Sequence, residues 1–285
     1  MPDWLGLGGQ RVVVAGGAGT IGSALVSGFA DAGASVGVID LDVSNVDPRV
    51  NASARADLSD GDEARGSLNS VMQQLGGLDG LVHCVGINDR KPIENYTAPE
   101  WDRIVGVNLT SAFHLGAQAA AAMRERGRGR IVFFSSVAGR SGHKLHGPYA
   151  ATKGAINQLM RVIAHEYAVH GVTANAVAPG YMDTELTRRY LTDNPDKRHA
   201  LIELIPGRPV RNAAGSGGSG VVFVLAAGKL HHRAGPVYRW RTYDYLGVLD
   251  RCSEGLTARR SWSRAPAPRS CFPGRRLAKF PSPKR

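Results

Sequence analysis

The chain has 285 residues, enough for one α/β domain of ordinary size or two small ones, and its formal net charge is +11. Residues 229–285 hold fourteen Lys/Arg and three Asp/Glu, whereas residues 1–228 hold 21 of each sign and are neutral. The body of the chain therefore lacks the basic excess of a nucleic-acid-binding protein, and a nucleic-acid partner is not expected.

The cysteines and the apolar segments also exclude some classes of protein. Cys84, Cys252 and Cys271 show no metal or disulfide spacing. No secretory signal pattern is visible at the N-terminus, and no apolar run approaches the ~20 residues that span a bilayer. We therefore expect a cytoplasmic protein with reduced thiols, no bound metal and no membrane partner.

The first predicted unit is a strand, a glycine-rich turn and a helix. The strand is RVVVA at 11–15, the turn is GGAGTIG, and the helix runs to Asp31. In this arrangement the backbone N–H groups of the turn and the helix N-terminus receive a pyrophosphate. Gly16 and Gly22 are expected to allow the tight turn and the close approach of the backbone.

A second strand, SVGVIDLD, ends at Asp40, twenty-four residues after Gly16. A carboxylate at this position accepts hydrogen bonds from both ribose hydroxyls of a dinucleotide and repels a 2′-phosphate. No Lys or Arg occupies the turn or the residues just after Asp40. The pattern predicts NAD rather than NADP; the alternative interpretation is an ordinary solvated acid at a strand end.

The third strand is predicted at 56–60 (ADLSD), with Ser59 as the N-cap of a helix that ends at Gly76-Gly77. A fourth strand follows in LDGLVHCVGIN, where His83 is expected to be structural. Residues 99–127 then have the apolar spacing of one long amphipathic helix, which contains Asn108.

Residues 131–158 combine a buried strand, IVFF, two serines, a polar loop and a helix. Tyr149 and Lys153 are four residues apart, so both leave one face near the helix start. The lysine ammonium and the helix N-terminus are expected to lower the pKa of Tyr149, which makes it a base toward an alcohol. The loop carries the basic side chains Arg140, His143, Lys144 and His146. Two interpretations stay open: the loop favours binding of a polar or anionic substrate, or it is an ordinary charged surface loop.

A sixth strand, within VTANAVAPGYMDTE, ends at Pro179-Gly180. Residues 185–207 are predicted to form a helical lid with a break at Asn194-Pro195, and residues 219–226 a further helix.

Over about residues 10–228 these motifs resemble the short-chain dehydrogenase/reductase family. The resemblance implies a doubly wound, mainly parallel α/β sheet with the dinucleotide across the carboxyl ends of its strands. It implies that Tyr149 is the general acid/base and that Lys153 tunes it and holds the nicotinamide ribose. Ser136 is implied to orient the substrate oxygen. It is preferred over Ser135 because it lies thirteen residues before Tyr149, the spacing that the family has. Asn108 supports a proton-relay water.

The resemblance also implies a set of cofactor contacts. Asp57 and Leu58 lie beside the adenine, and the pattern P-G-x-x-x-T faces the nicotinamide carboxamide. The chain departs from the family at Thr20, where a glycine is usual, and at His83 and Cys84, where asparagines are usual. The full implied set is Gly16, Gly19, Thr20, Ile21, Gly22, Asp40, Asp57, Leu58, Gly86, Tyr149, Lys153, Pro179, Gly180, Met182 and Thr184.

The resemblance stops after Gly228, which divides the chain into a dinucleotide-binding and catalytic domain at 1–228 and a basic Arg/Pro-rich tail at 229–285. The tail is predicted to be disordered or derived from a frameshift. KLHHRAGPVYRW can be encoded by a DNA sequence that, read one base later, gives SSITGQVLYTGG, which contains the I-T-G-Q segment that the family has here.

The sequence therefore predicts an NAD(H)-dependent oxidoreductase that interconverts a secondary alcohol and a ketone. Two alternatives stay open: an NADPH-dependent 3-ketoacyl reductase, and a cofactor-binding homologue without turnover. The resemblance also implies a homodimer or homotetramer formed through the helices that carry Asn108 and Tyr149.

Overall fold

The structure, a computed structural model, describes residues 6–180, 182–192 and 211–212. Within them six parallel strands form one sheet in the order β3-β2-β1-β4-β5-β6. The chain order reverses between β1 and β4, the point at which doubly wound sheets open a crevice for ligands. The predicted fold class is thus confirmed. The strands are β1 Arg11–Ala15, β2 Ser35–Asp40, β3 Ala52–Arg55, β4 Gly80–His83, β5 Gly129–Phe134 and β6 Val172–Val177.

Helical segments connect consecutive strands of this sheet, except that a loop over residues 41–51 connects β2 to β3. A second, two-stranded parallel sheet joins β7, Met182–Asp183, to β8, Arg211–Asn212. The helices are α1 Thr20–Asp31, α2 Gly61–Leu75, α3 Ala98–Val105, α4 Ser111–Glu125, α5 Gly147–Tyr167 and α6 Glu185–Thr192.

The sheet is buried on both faces because successive side chains of each strand point to opposite sides. In β1, Val13 and Ala15 join the apolar cluster that contains residues of α2, α4 and α5. Val12 and Val14 join the other cluster, which contains residues of α1. The two apolar clusters, one on each face of the sheet, position the carboxyl ends of the strands, where the site lies.

The third strand and the cap of α2 differ from the prediction. The strand is Ala52–Arg55 rather than 56–60, because its register with β2 pairs Arg55 with Asp40. The N-cap is Asp60, whose side chain accepts hydrogen bonds from two backbone N–H groups of the first turn. Ser59 instead donates its N–H and hydroxyl to Asp57. The expected end of the helix is correct, since Gly76 is a left-handed cap.

The helix predicted over 99–127 is interrupted. A π-helical turn at Gly106–Thr110 separates α3 from α4 and contains Asn108, which is fully buried. The extra residue in such a turn changes which side chain faces inward. The amide of Asn108 is held by the backbone of Ile87, a tertiary contact that apolar periodicity does not reveal.

Part of the prediction lies outside the described residues: the lid beyond Thr192, the helix at 219–226, the boundary at Gly228 and the tail at 229–285. Among the helices that the structure describes, none combines the length and apolarity needed to cross a bilayer. No group of His, Cys, Asp and Glu side chains that could hold a metal ion occurs in the described part of the chain.

Candidate active site

The glycine turn between β1 and α1 is shaped by backbone contacts that exclude side chains. Gly16 has φ +81°, a conformation that other residues rarely adopt. A Cβ at Gly22 would lie 1.9 Å from the carbonyl oxygen of Gly16. Gly19 precedes α1 without any side-chain cap, so the first N–H groups of that helix suit the pyrophosphate of a dinucleotide. The turn therefore fits the nicotinamide cofactor that the motif predicts.

Two alanine substitutions in this turn are expected to differ in their effect on stability. Gly22→Ala should lower the free energy of unfolding by about 1–3 kcal/mol or more, because the new methyl group has no space. Gly19→Ala should change it by less than about 0.5 kcal/mol, since the new Cβ would meet only the Gly16 oxygen at 3.4 Å. Urea unfolding of both variants measures the difference; equal stability would contradict this description of the turn.

Asp40 connects the end of β2 to the glycine turn. Its Oδ2 accepts the N–H of Ala18 at 2.9 Å and its Oδ1 accepts the N–H of Leu41 at 2.8 Å. An ionised carboxylate has about four acceptor positions, so two remain for the hydroxyls of a ribose. The carboxylate thus lies where the sequence motif requires it.

The predicted catalytic side chains meet at the carboxyl ends of β4 and β5. Ser136 follows β5 and lines the same pocket as Tyr149, which lies in the first turn of α5; its hydroxyl acts to lower the pKa of that phenol. The ammonium nitrogen of Lys153 lies 5.7 Å from the centre of the tyrosine ring. Ser135 points elsewhere, donating to the Lys153 carbonyl at 3.0 Å. The structure thus brings Ser136, rather than Ser135, to the phenol.

Lys153 is almost completely buried, with 3% of its surface exposed. Its Nζ donates to the carbonyl of Phe134 at 2.8 Å and to that of Val85 at 3.4 Å. Burial lowers its pKa to about 8. A Cβ on Gly86 would lie 3.1 Å from this Nζ and 3.5 Å from the Oδ1 of Asn108, so the glycine keeps this corner open.

The pKa of Tyr149 differs from the prediction. Burial raises it above the ordinary value, although the Ser136 hydrogen bond and the positive charge of Arg90 act in the opposite direction. The predicted lowering by Lys153 is therefore wrong for this structure. Its physical reason is that the Lys153 ammonium is buried against backbone carbonyls, while loss of water around the phenol disfavours its anion.

Asn108 occupies the corner behind Lys153. Its Oδ1 accepts the N–H of Ile87 at 2.8 Å, and its Nδ2 donates to the Ile87 carbonyl at 3.0 Å and to the Thr152 hydroxyl at 3.1 Å. These bonds fix the segment after β4 against α5. Sequence reasoning missed Thr152 as the partner on α5, although its position next to Lys153 could have suggested it.

The remaining predicted cofactor contacts lie after β3, after β6 and near the starts of α1 and α6. Asp57 is exposed and Leu58 is buried in the core, both just after β3. Pro179 follows β6, and its carbonyl accepts the N–H of Val137 at 3.2 Å. Near the start of α6, the N–H of Thr184 donates to the carbonyl of Met182 at 2.9 Å. Thr20 and Ile21 belong to the first turn of α1.

His83 and Cys84, which replace the usual asparagines, are structural in character. Nε2 of His83 lies 2.8 Å from the Ser111 hydroxyl, and burial lowers the pKa of this fully buried imidazole to about 3. The Cys84 thiol donates to the Ala15 carbonyl at 3.1 Å, and burial raises its pKa to about 12. Both groups are therefore neutral near pH 7.

A pocket of about 420 Å³, partly open to solvent, lies in front of Tyr149. The Arg90 guanidinium on its wall stacks over the ring of Tyr190, 3.8 Å from its centre. Sequence reasoning missed this stacking, which joins residues one hundred positions apart. The polar side chains that line the pocket include Asn88, Arg90, Ser136, His143, His146 and Thr187.

Comparison with known proteins gives consistent results. The sequence model of the short chain dehydrogenase family matches residues 10–195. Gluconate 5-dehydrogenase of Gluconobacter oxydans is 32% identical over 201 residues, covering 67% of this chain and 78% of that protein. Acetoacetyl-CoA reductase of Allochromatium vinosum is 32% identical over 213 residues, covering 69% and 83%.

The fold agrees with solved structures as well. The crystal structure of levodione reductase superposes with a TM-score of 0.72 at 27% identity, covering 78% of this chain and 93% of that one. The match of the family model to most of the chain, together with the strand order and the glycine turn, establishes that this chain belongs to the short-chain dehydrogenase family.

Proposed function

We propose that this chain is an NAD(H)-dependent enzyme that interconverts a secondary alcohol and a ketone. The observation that carries the proposal is the convergence of Ser136, Tyr149 and Lys153 beside the topological switch point of the sheet. Two of the similar proteins are named for different substrates, a sugar acid in one and an acyl-CoA in the other, yet one is named a dehydrogenase and the other a reductase. The reaction type is common to them, whereas the substrate is not.

In the oxidation direction the Tyr149 oxygen takes the proton of the substrate hydroxyl. The Ser136 hydroxyl, which lines the same pocket as that phenol, holds the substrate oxygen next to it. A bound nicotinamide supplies the hydride acceptor for oxidation and the hydride donor for reduction. Lys153 would hold the nicotinamide ribose beside the phenol, and Asn108 keeps the segment beside Lys153 in place.

Asp40 supports the preference for NAD over NADP. Its carboxylate lies at the end of β2, bonded to the backbone of the glycine turn, and it would repel a 2′-phosphate. The basic side chain that would neutralise such a phosphate is missing from the turn and from the residues just after Asp40.

The preference is testable through the charge of this residue. We expect the wild type to have a kcat/KM for NAD about 10- to 100-fold above that for NADP, because like charges in contact cost several kcal/mol. Asp40→Asn should lower this ratio about tenfold. Asp31→Asn, which removes the same charge at the far end of α1, should leave it unchanged. A ratio unaffected by Asp40→Asn would contradict the assignment.

The two alternatives predict different results in one assay. A panel of secondary alcohols and ketones, followed by the absorbance of reduced nicotinamide, tests the proposal directly. Turnover with NADPH but not with NADH would favour the 3-ketoacyl reductase. Binding of NADH without turnover of any substrate would favour a cofactor-binding homologue, against which the complete set of Asn108, Ser136, Tyr149 and Lys153 argues.

A homo-oligomer stays a prediction, and exposed apolar side chains support it. Phe113 on α4 and Val162 on α5 are each about half exposed, as is Trp101 on α3. Large apolar side chains exposed on adjacent helices are typical of protein–protein contacts. We propose that a second copy of this chain covers these helices.

A further inference from the structure

A buried chain of hydrogen bonds joins the end of β4 to the π-helical turn that carries Asn108. His83, the last residue of β4, is fully buried, and its Nε2 lies 2.8 Å from the hydroxyl oxygen of Ser111. That hydroxyl in turn donates to the carbonyl oxygen of Val107 at 2.5 Å. Val107 directly precedes Asn108 in the turn, so the chain ends next to the amide that holds Ile87.

The two backbone carbonyls that Ser111 contacts show why its side chain is needed. The backbone N–H of Ser111 donates to the carbonyl of Gly106, one residue further back than in an α-helix. The Val107 carbonyl, which an α-helix would bond to this N–H, receives the Ser111 hydroxyl instead. The serine therefore closes the π-helical turn with its side chain, and His83 fixes the orientation of that side chain.

The same contacts assign the hydrogens of the His83 imidazole. A hydroxyl has one hydrogen, and Ser111 uses it toward the Val107 carbonyl. The hydrogen of the 2.8 Å contact therefore belongs to Nε2 of His83. Nδ1 is then an unprotonated nitrogen, buried and without a hydrogen-bond partner among the residues that the structure describes. The imidazole is thus a neutral donor of fixed orientation.

The chain continues beyond Asn108 to the helix that carries Lys153. The Asn108 amide bonds both backbone groups of Ile87 and the hydroxyl of Thr152, which is next to Lys153. Its Oδ1 and the Lys153 ammonium nitrogen lie at one corner, 3.5 Å and 3.1 Å from the place that a Cβ on Gly86 would take. A rotation of the π-helical turn would therefore break the bonds that hold the segment beside Lys153.

We propose that His83 is a positioning residue of the active site, which acts through the Ser111 hydroxyl to hold the π-helical turn in the orientation that fixes Asn108 beside Lys153. The inference rests on the proposed function and names a further residue on which that reaction depends. The competing explanation is that His83 only fills space against Phe133, whose ring centre lies 6.1 Å away.

The kinetic test compares two replacements of His83. His83→Gln keeps an N–H donor at about the position of Nε2, whereas His83→Leu keeps bulk without a donor. With the full chain, NAD and the best alcohol of a substrate panel, His83→Leu should lower kcat about tenfold, because small displacements of positioning groups have effects of that size or larger. The KM for the alcohol and the Kd for NADH should stay within about threefold. His83→Gln should recover kcat to within about threefold of the wild type.

A second variant tests the same chain from its other member. Ser111→Ala should lower kcat about tenfold as well. Because the two side chains act through one hydrogen bond, the double variant His83→Leu/Ser111→Ala should be no slower than the slower single variant. Leu81→Val is the matched control. Leu81 is fully buried two residues earlier on the same strand, so the change disturbs packing without touching the chain and should leave kcat within about twofold.

The hydrogen positions can be measured without any substrate. Nitrogen-15 NMR of the folded chain should show the His83 ring protonated on Nε2 and unchanged between about pH 5 and 8, the range in which an ordinary histidine titrates. A proton on Nδ1 would overturn the inference, because Nε2 could then not donate to Ser111.

Two kinetic outcomes would also overturn the inference and keep the proposed function. One is a wild-type kcat in folded His83→Leu or Ser111→Ala. The other is an equal loss of kcat in His83→Leu and Leu81→Val, which would reduce the histidine to a packing role. Absence of turnover of every alcohol and ketone by the wild type would instead reject the proposed function, and with it the role of His83 in that reaction.

Discussion

Replacing Tyr149 with phenylalanine is expected to lower kcat by about 10²- to 10⁴-fold, the usual contribution of a general acid or base. The substitution removes one oxygen atom and keeps the ring that packs beside Lys153. The Kd for NADH, measured by its fluorescence, should stay within about twofold of the wild-type value, because the aromatic ring is kept. Twofold corresponds to a change of only about 0.4 kcal/mol in binding free energy. The loss should therefore appear in the chemical step and not in cofactor affinity.

The pH dependence distinguishes proton transfer from a packing defect. Because burial holds the pKa of Tyr149 above its usual value, the phenolate fraction increases through the neutral and alkaline range. Alcohol oxidation should increase with it, whereas ketone reduction, which needs the protonated phenol, should not. Tyr167→Phe, at the other end of α5, is the matched control. A Tyr149→Phe enzyme with the kcat of the wild type would remove the phenol from the mechanism.

Replacing Lys153 with methionine is expected to lower kcat by about 10²-fold or more, because the ammonium that would position the nicotinamide ribose beside Tyr149 is lost. The side chains are similar in length, and Lys153 is 3% exposed, so the variant should keep the packing of α5. The same substitution should change the pH dependence of stability, which provides a measurement independent of any substrate.

The direction follows from the pKa of Lys153, which is lowered to about 8 in the folded protein and is about 10.4 in an unfolded chain. Below pH 8 the folded protein carries the full cost of a buried charge. Between these two pKa values the unfolded chain holds the extra proton, so the wild type gains stability as the pH increases. The free energy of unfolding, relative to Lys153→Met, should increase by about 3 kcal/mol across this window.

Urea unfolding at several pH values measures this gain. Lys144→Met changes an exposed lysine of the loop before α5 and is the control. The difference in the free energy of unfolding between the wild type and Lys144→Met should not change with pH across this window. A difference between wild type and Lys153→Met that is the same at pH 8 and above pH 10.4 would show that the amine is not buried as described.

Much of the fold could be predicted because its signals are local. The strand RVVVA, the glycine turn and the strand ending at Asp40 are each defined by contiguous residues with distinct turn and β preferences. The spacing of Tyr149 and Lys153 on one helix is likewise a local property. These elements were predicted within one or two residues of their observed bounds.

The errors concern features that depend on distant residues. The start of β3 is set by its register with β2, and the π-helical turn accompanies the bonds from Asn108 to Ile87. The raised pKa of Tyr149 reflects burial by several elements. The stack of Arg90 on Tyr190 joins the segment after β4 to α6. Apolar periodicity contains no information about any of these contacts.

Binding of a nicotinamide dinucleotide in the cleft at the glycine turn, beside Tyr149, can be measured by titrating the full chain with NADH and following nicotinamide fluorescence. This measurement needs no knowledge of the substrate. We expect saturable binding with a Kd below about 1 mM, displacement by NAD and weaker binding of NADPH. Absence of binding to a folded chain at that concentration would show that the cleft does not hold a nicotinamide dinucleotide.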